Sequence, residues 1–229
     1  MKNKSAGVIQ LILCIVVIML FNAFFFKVLS LVGLHFSGTA FTIANFIKHL
    51  LVTVIVFIIY SQNIKSGKNK FSSTWLNSFI YCVSCFVFLL VVTVLLHKVL
   101  NYLGNPRGIT IPYNFTNYFS TKFTLDSALN LVIDAILLPF LLCVVFPLGF
   151  SNIFKKSGTA SLLAGLTYGV VYAISLNTSI ERALFLSITS SVLVMLLTYL
   201  YKTNHNIWSV IITYICYVLF GIFAINYIV

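Results

Sequence analysis

The chain has 229 residues, 61% of them hydrophobic and 7% charged, with a mean hydropathy of +1.09. Long uninterrupted apolar runs on that background exclude a soluble domain and place the chain among polytopic helical membrane proteins; the runs do not alternate as the strands of a spanning β-barrel would. Fourteen Lys and Arg against three Asp and Glu give +11, too thinly spread to mark a nucleic-acid partner, so the excess reads as a record of orientation and of contact with anionic lipid headgroups.

One all-α integral membrane domain, residues 1–229, with about seven transmembrane helices and no soluble module, is expected. Lys2 and Lys4 precede the first apolar run, Val8–Phe26. That run exceeds the length of a signal-peptide core and no small-residue cleavage pattern follows, so it is expected to be retained as a helix. Phe41–Tyr60 is the second span and carries Lys48 and His49; a basic polar loop, Ser61–Trp75, leads to the third, Leu76–Leu96. The longest connection, His97 to Asp126, contains Gly104, Pro106, Gly108 and Pro112 as breakers, and its many aromatic residues place it at the membrane interface. Ser127–Phe150 is the fourth span, with Asp134, Pro139 and Pro147. Ser161–Leu176, Ala183–Tyr201 and Ile207–Ile228 complete the set. All five cysteines lie in apolar runs, where Cys behaves as a small hydrophobe, and Cys82-x-x-Cys85 has no second pair. No metal, cofactor or disulfide framework is expected.

The fifth span carries small residues at every fourth position, Ser161, Gly165, Gly169 and Ala173, which share one helical face. Gly165 and Gly169 form a GxxxG pair, a spacing that lets a second backbone approach closely in lipid. Ordinary helix packing accounts for such a stripe. Tyr168 and Tyr172, also four apart, lie beside it, and the functional reading makes this the central helix, presenting two phenols to an interior site.

Among the ionisable residues, Lys48, His49 and Asp134 lie well inside spans, where a charge is costly and marks either a structural pair or a functional site. Lys48 and Asp134 are each the eighth residue of an inward-running span, about 10–11 Å below its start. Matching depth predicts that they pair in the bundle interior, with His49 nearby. Loop charge gives the orientation. With the N-terminus inside, Lys2, Lys4, Lys65, Lys68, Lys70, Lys155, Lys156 and Lys202 fall on the cytoplasmic side, and only Lys98, Arg107, Lys122 and Arg182 opposite. The positive-inside bias favours seven spans with the C-terminus outside.

The run TSSVLVMLLTYLYKTNHNIWSVIITYICYVLFGI resembles the closing region of the CAAX protease and bacteriocin-processing family of intramembrane proteins. In that family a tyrosine-rich turn of the type LYYKTGNIW leads into a last helix bearing HxxxN. Upstream come EExxxR near the end of one helix and FxxxH on the next. The resemblance covers about residues 127–222 and implies the family's helical bundle in a bacterial cytoplasmic membrane. It does not extend to the catalytic residues. Pro147, Leu148 and Asn152 stand within the EExxxR region, Tyr168 and Tyr172 at FxxxH, and Tyr214 and Val218 at HxxxN. Such side chains cannot activate water near neutral pH as a carboxylate does. The resemblance therefore implies a pseudo-protease, acting as partner, regulator or immunity factor for another membrane or cell-envelope protein. An intramembrane hydrolase built around Asp134 and His49, or a small solute transporter subunit using the same charges, remains the alternative.

Overall fold

In the computed structural model, the structure describes residues 4–66, 124–175 and 180–224, together with helical positions between 79 and 95. The regular structure of the described residues is helical, with no strand among them. Among the described residues six helices have both ends defined: α1 Lys4–Leu31, α2 Thr39–Ser66, α3 Leu125–Ile153, α4 Ser157–Ser175, α5 Ile180–Asn204 and α6 Ile207–Ala224. Four stretches, Ser5–Leu31, Thr39–Ile64, Leu125–Ile153 and Ser157–Ile174, are long and apolar enough to cross a membrane, and Ile207–Phe220 is a shorter apolar helix. An apolar medium leaves backbone polar groups no water to bond, and a helix satisfies them within the segment. The protein is membrane-embedded. About half of the third expected span and almost all of the long 97–126 connection lie outside the described residues.

The most buried span is α3, with 67% of its most apolar stretch inside the protein, against 28% for α4 and 11% for α1. The central position expected for α4 thus belongs to α3. Thr124 caps its start by accepting from Ser127 N (3.3 Å), and Asp126 sits in the first turn, where the helix dipole favours an anion. The helix continues past two prolines by widening. Leu138 N reaches Ile133 O at the end of a π turn over Ile133–Leu137, just ahead of Pro139, and a second π turn, Val144–Leu148, contains Pro147. Proline lacks the amide hydrogen and crowds the carbonyl four residues back, so each extra residue in the turn relieves a clash.

On α2 the buried face runs through Ala44, Lys48, Val52, Val56, Tyr60 and Ile64. Expected to end at Tyr60, this helix continues to Ser66. Ile64 is buried, Asn63 Nδ2 donates to Gln10 Oε1 (3.5 Å), and Gln10 Nε2 donates to Ile59 O (3.3 Å), so the polar tail is held against α1. Gly149 on α3 faces the same crossing: a Cβ there would meet the Tyr60 hydroxyl at 2.7 Å and Leu11 Cδ1 at 2.9 Å. The α5–α6 reversal is compact. His205 takes a left-handed conformation (φ 53°) and its N–H donates to Tyr201 O (2.7 Å); Asn206 then caps α6 by accepting from Trp208 N (3.0 Å). Lys202 Nζ donates to Ser151 O (2.9 Å) near the end of α3, and burial draws its pKa below the usual lysine value.

Candidate functional site: a cavity between four helices

Gly165 and Gly169 turn toward α5. A Cβ on Gly165 would meet Met195 Cγ and, at 2.5 Å, the Ser191 carbonyl; one on Gly169 would meet Ser191 Oγ and, at 3.1 Å, the Ser187 carbonyl. Ser161 is buried on the same helix, with its hydroxyl unpartnered among the described residues, and Ala173 is half-buried. The hydroxyls of Ser191 and Thr198 donate to carbonyls four residues back in α5, at 2.7 Å each, so these two groups are satisfied within their own helix.

Tyr168 and Tyr172 project from α4 into a cavity of about 570 Å³ bounded by α1, α3, α4 and α6. Their rings stack (centroids 5.7 Å apart, 16° between planes), and Phe146 meets Tyr168 edge to face at 4.9 Å. Tyr214 enters from α6 and Asp134 from α3. Both π turns of α3 supply the lining, Asp134 from the first and Phe146 from the second. The extra residue in each turn rotates the side chains that follow, and π turns concentrate at functional sites for that reason. Among the described residues of the lining, Asp134 is the single carboxylate and none is Lys, Arg or His. The wall is otherwise aliphatic, apart from Asn22 on α1. Met19, Leu138 and Ile174 line the cavity and are also exposed, so it opens between helices at the protein surface.

Of the positions singled out by the family resemblance, Tyr168, Tyr172 and Tyr214 meet at this cavity. Pro147, Leu148 and Val218 are buried outside its lining, and Asn152 is exposed. Lys48 and His49 do not reach it. The Lys48 ammonium lies over the Phe26 ring, 5.7 Å from the centroid, within cation–π range. His49 Nδ1 donates to Asn45 O (2.8 Å) in its own helix. The expected Lys48–Asp134 pair is not found among the described residues, for a geometric reason. Thr39 Oγ1 donates to Asp126 Oδ2 (3.2 Å) and sets the starts of α2 and α3 level, so the depths do match. Nine residues at about 100° each bring Lys48 to the side of α2 away from that contact, toward α1; eight bring Asp134 only about 80° round α3.

Asn22 and Phe146 are among the lining residues that escaped the sequence reading. Asn22 shares its apolar run with one other polar residue, Gln10, so a signal was available; Phe146 is one of 22 phenylalanines and carried none. No three His, Cys, Asp or Glu side chains come together as a metal site among the described residues, and Cys85 lies outside them. Comparisons with protein-family models, curated proteins and solved structures returned no match. Fold and site together define a class: an all-helical membrane-embedded protein with a cavity between helices that opens at its surface.

Proposed function

We propose that this chain is a non-catalytic member of the CAAX protease and bacteriocin-processing group, one that holds a molecule or partner in the membrane and does not cut it. In this reading it has seven spans, with the N-terminus inside and the C-terminus outside a bacterial cytoplasmic membrane. One observation carries the proposal. Tyr168, Tyr172 and Tyr214, aligned with the family's histidine-bearing motifs, come from two helices to one cavity, where a phenol cannot serve as a neutral-pH base. The α5–α6 reversal adds support, because left-handed His205 falls where the family's turn carries glycine, the residue that conformation favours. The hydrolase alternative loses its second group, since His49 is bonded within α2 and lies outside the lining around Asp134.

The test is a cleavage assay with membrane-anchored reporter peptides on purified protein in nanodiscs. No cleavage above the empty-disc background is expected; turnover that disappears in Asp134→Asn overturns the reading in favour of a hydrolase. The topology is tested separately. A reporter fused after Val229 should read external and one after Lys68 cytoplasmic, and the reverse for either refutes the orientation.

A further inference from the structure

We infer that Lys48 holds the phosphate of an anionic phospholipid beside the α1–α2 contact, apart from the cavity, whose lining includes neither Lys48 nor Phe26. The inference goes beyond the non-catalytic reading and does not depend on it. Lys48 is only 8% exposed, yet among the described residues its ammonium makes no hydrogen bond and no ion pair. It rests instead on the Phe26 ring, 5.7 Å from the centroid. A ring face attracts the charge but gives the three N–H groups no conventional acceptor. The groups nearby are committed elsewhere. His49 Nδ1 donates to Asn45 O within α2, and Asp126 accepts from Thr39 on the side of α2 away from Lys48. Lys27, next along α1 from Phe26, adds a second positive charge, its ammonium 5.8 Å from the Phe24 centroid. A buried ammonium without an anion is costly, and an oxyanion supplies charge and acceptors together.

Depth points to lipid as the source of that oxyanion. With 28 residues α2 is about 42 Å long, against about 30 Å of hydrocarbon, so a centred helix carries about 6 Å of each end into the headgroup layer. Lys48 is about 13–14 Å along the axis from Thr39, and helical side chains lean back toward the helix start. Phe26, which receives the ammonium, stacks on Phe41 near that start (centroids 4.6 Å apart), so the charge reaches toward the boundary where lipid phosphates lie. Ile43, Ile47 and Leu51, four residues apart on α2, and Phe24 and Val28 on α1 are exposed and apolar, a surface for acyl tails. Inorganic phosphate brings no tail and must shed its water against that surface. A zwitterionic headgroup carries its own cation beside the phosphate, which weakens its pull on Lys48, so net negative charge is selected.

The test is native mass spectrometry of the full chain released from nanodiscs holding phosphatidylglycerol and phosphatidylcholine in equal amounts. Preferential retention of phosphatidylglycerol is expected. Lys48→Met, which keeps the apolar stem, should cut that retention about tenfold, the loss of one charge-assisted hydrogen bond. Lys27→Met removes an exposed charge and should cut it by less than about threefold. Excess inorganic phosphate should leave the lipid bound; displacement by it overturns the lipid assignment in favour of a free oxyanion. Thermal melts give a second readout. Phosphatidylglycerol should raise the wild-type Tm relative to pure phosphatidylcholine discs and leave that of Lys48→Met unchanged. Should Lys48→Met lack a cooperative melt, Lys48→Gln carries the same comparison. Equal retention of the two lipids by the wild type, or an undiminished preference in a folded Lys48 variant, overturns the assignment.

Discussion

Replacing Gly165 by alanine tests the α4–α5 contact through the sign of the effect. On a helix face turned to lipid, the change gains helix propensity and should stabilise by about 0.5–1 kcal/mol. In this structure the new Cβ would lie 2.5 Å from the Ser191 carbonyl oxygen and against Met195 Cγ. The methionine can rotate away; the carbonyl belongs to the α5 backbone and cannot. Relief requires the two helices to part by most of an ångström along much of their shared length, and a gap of that size forfeits about a quarter to a half of each dispersion contact it opens. Overpacking of this kind costs about 1–3 kcal/mol, enough to outweigh the propensity gain. For a chain of this size a net loss of about 1–2 kcal/mol corresponds to a fall in Tm of about 2–8 °C. The assay is thermal unfolding in nanodiscs, with Gly158→Ala as internal control: Gly158 is on the same helix and has nothing within 4 Å of its ideal Cβ, so its melt should be unchanged or slightly higher. Gly169→Leu should fall further than Gly165→Ala. A Gly165→Ala melt at or above that of the wild type refutes the close approach of α4 to α5.

Two further substitutions probe single atoms. The Tyr60 hydroxyl is buried without a hydrogen-bond partner among the described residues, so Tyr60→Phe should be neutral or stabilising by up to about 1–3 kcal/mol, whereas Gly149→Ala, which drives a Cβ into that hydroxyl, should destabilise; a Tyr60→Phe variant that melts well below the wild type would reveal a bond made by that group. His205→Gly should raise stability by a few tenths to about 1 kcal/mol by removing left-handed strain at φ 53°, and a lower Tm would mean that the imidazole makes a contact of greater worth than that strain.

The readable part of the site was its pattern along each helix. Tyr168 and Tyr172 are four residues apart, so a shared face followed from helical periodicity once the segment was recognised as a helix, and the glycine stripe followed in the same way. The rest needed relations between helices. The pairing of Lys48 with Asp134 failed on azimuth and not on depth, because 1.5 Å per residue gives depth from numbering alone, while the direction a side chain points depends on which neighbour its helix meets. The end of α2 was misjudged for a related reason. Ser61–Ser66 is polar, and only a partner on α1, Gln10, makes its continuation as helix favourable.

What the chain alone determined is its solvent and its secondary structure: with 61% hydrophobic residues in long runs, lipid and the helix are the solution that leaves no backbone group unsatisfied. What tertiary structure decided is which helix lies innermost and where the cavity opens. Hydropathy does not rank the spans by burial, since α1 has the highest mean hydropathy, 2.8, and is the least buried of the four, while α3 at 2.6 is the most buried; close packing decides, and it selected α3. The prolines were visible as potential breaks, but only packing against α1, α4 and α6 turns the widened turns they impose into a wall that carries Asp134 and Phe146.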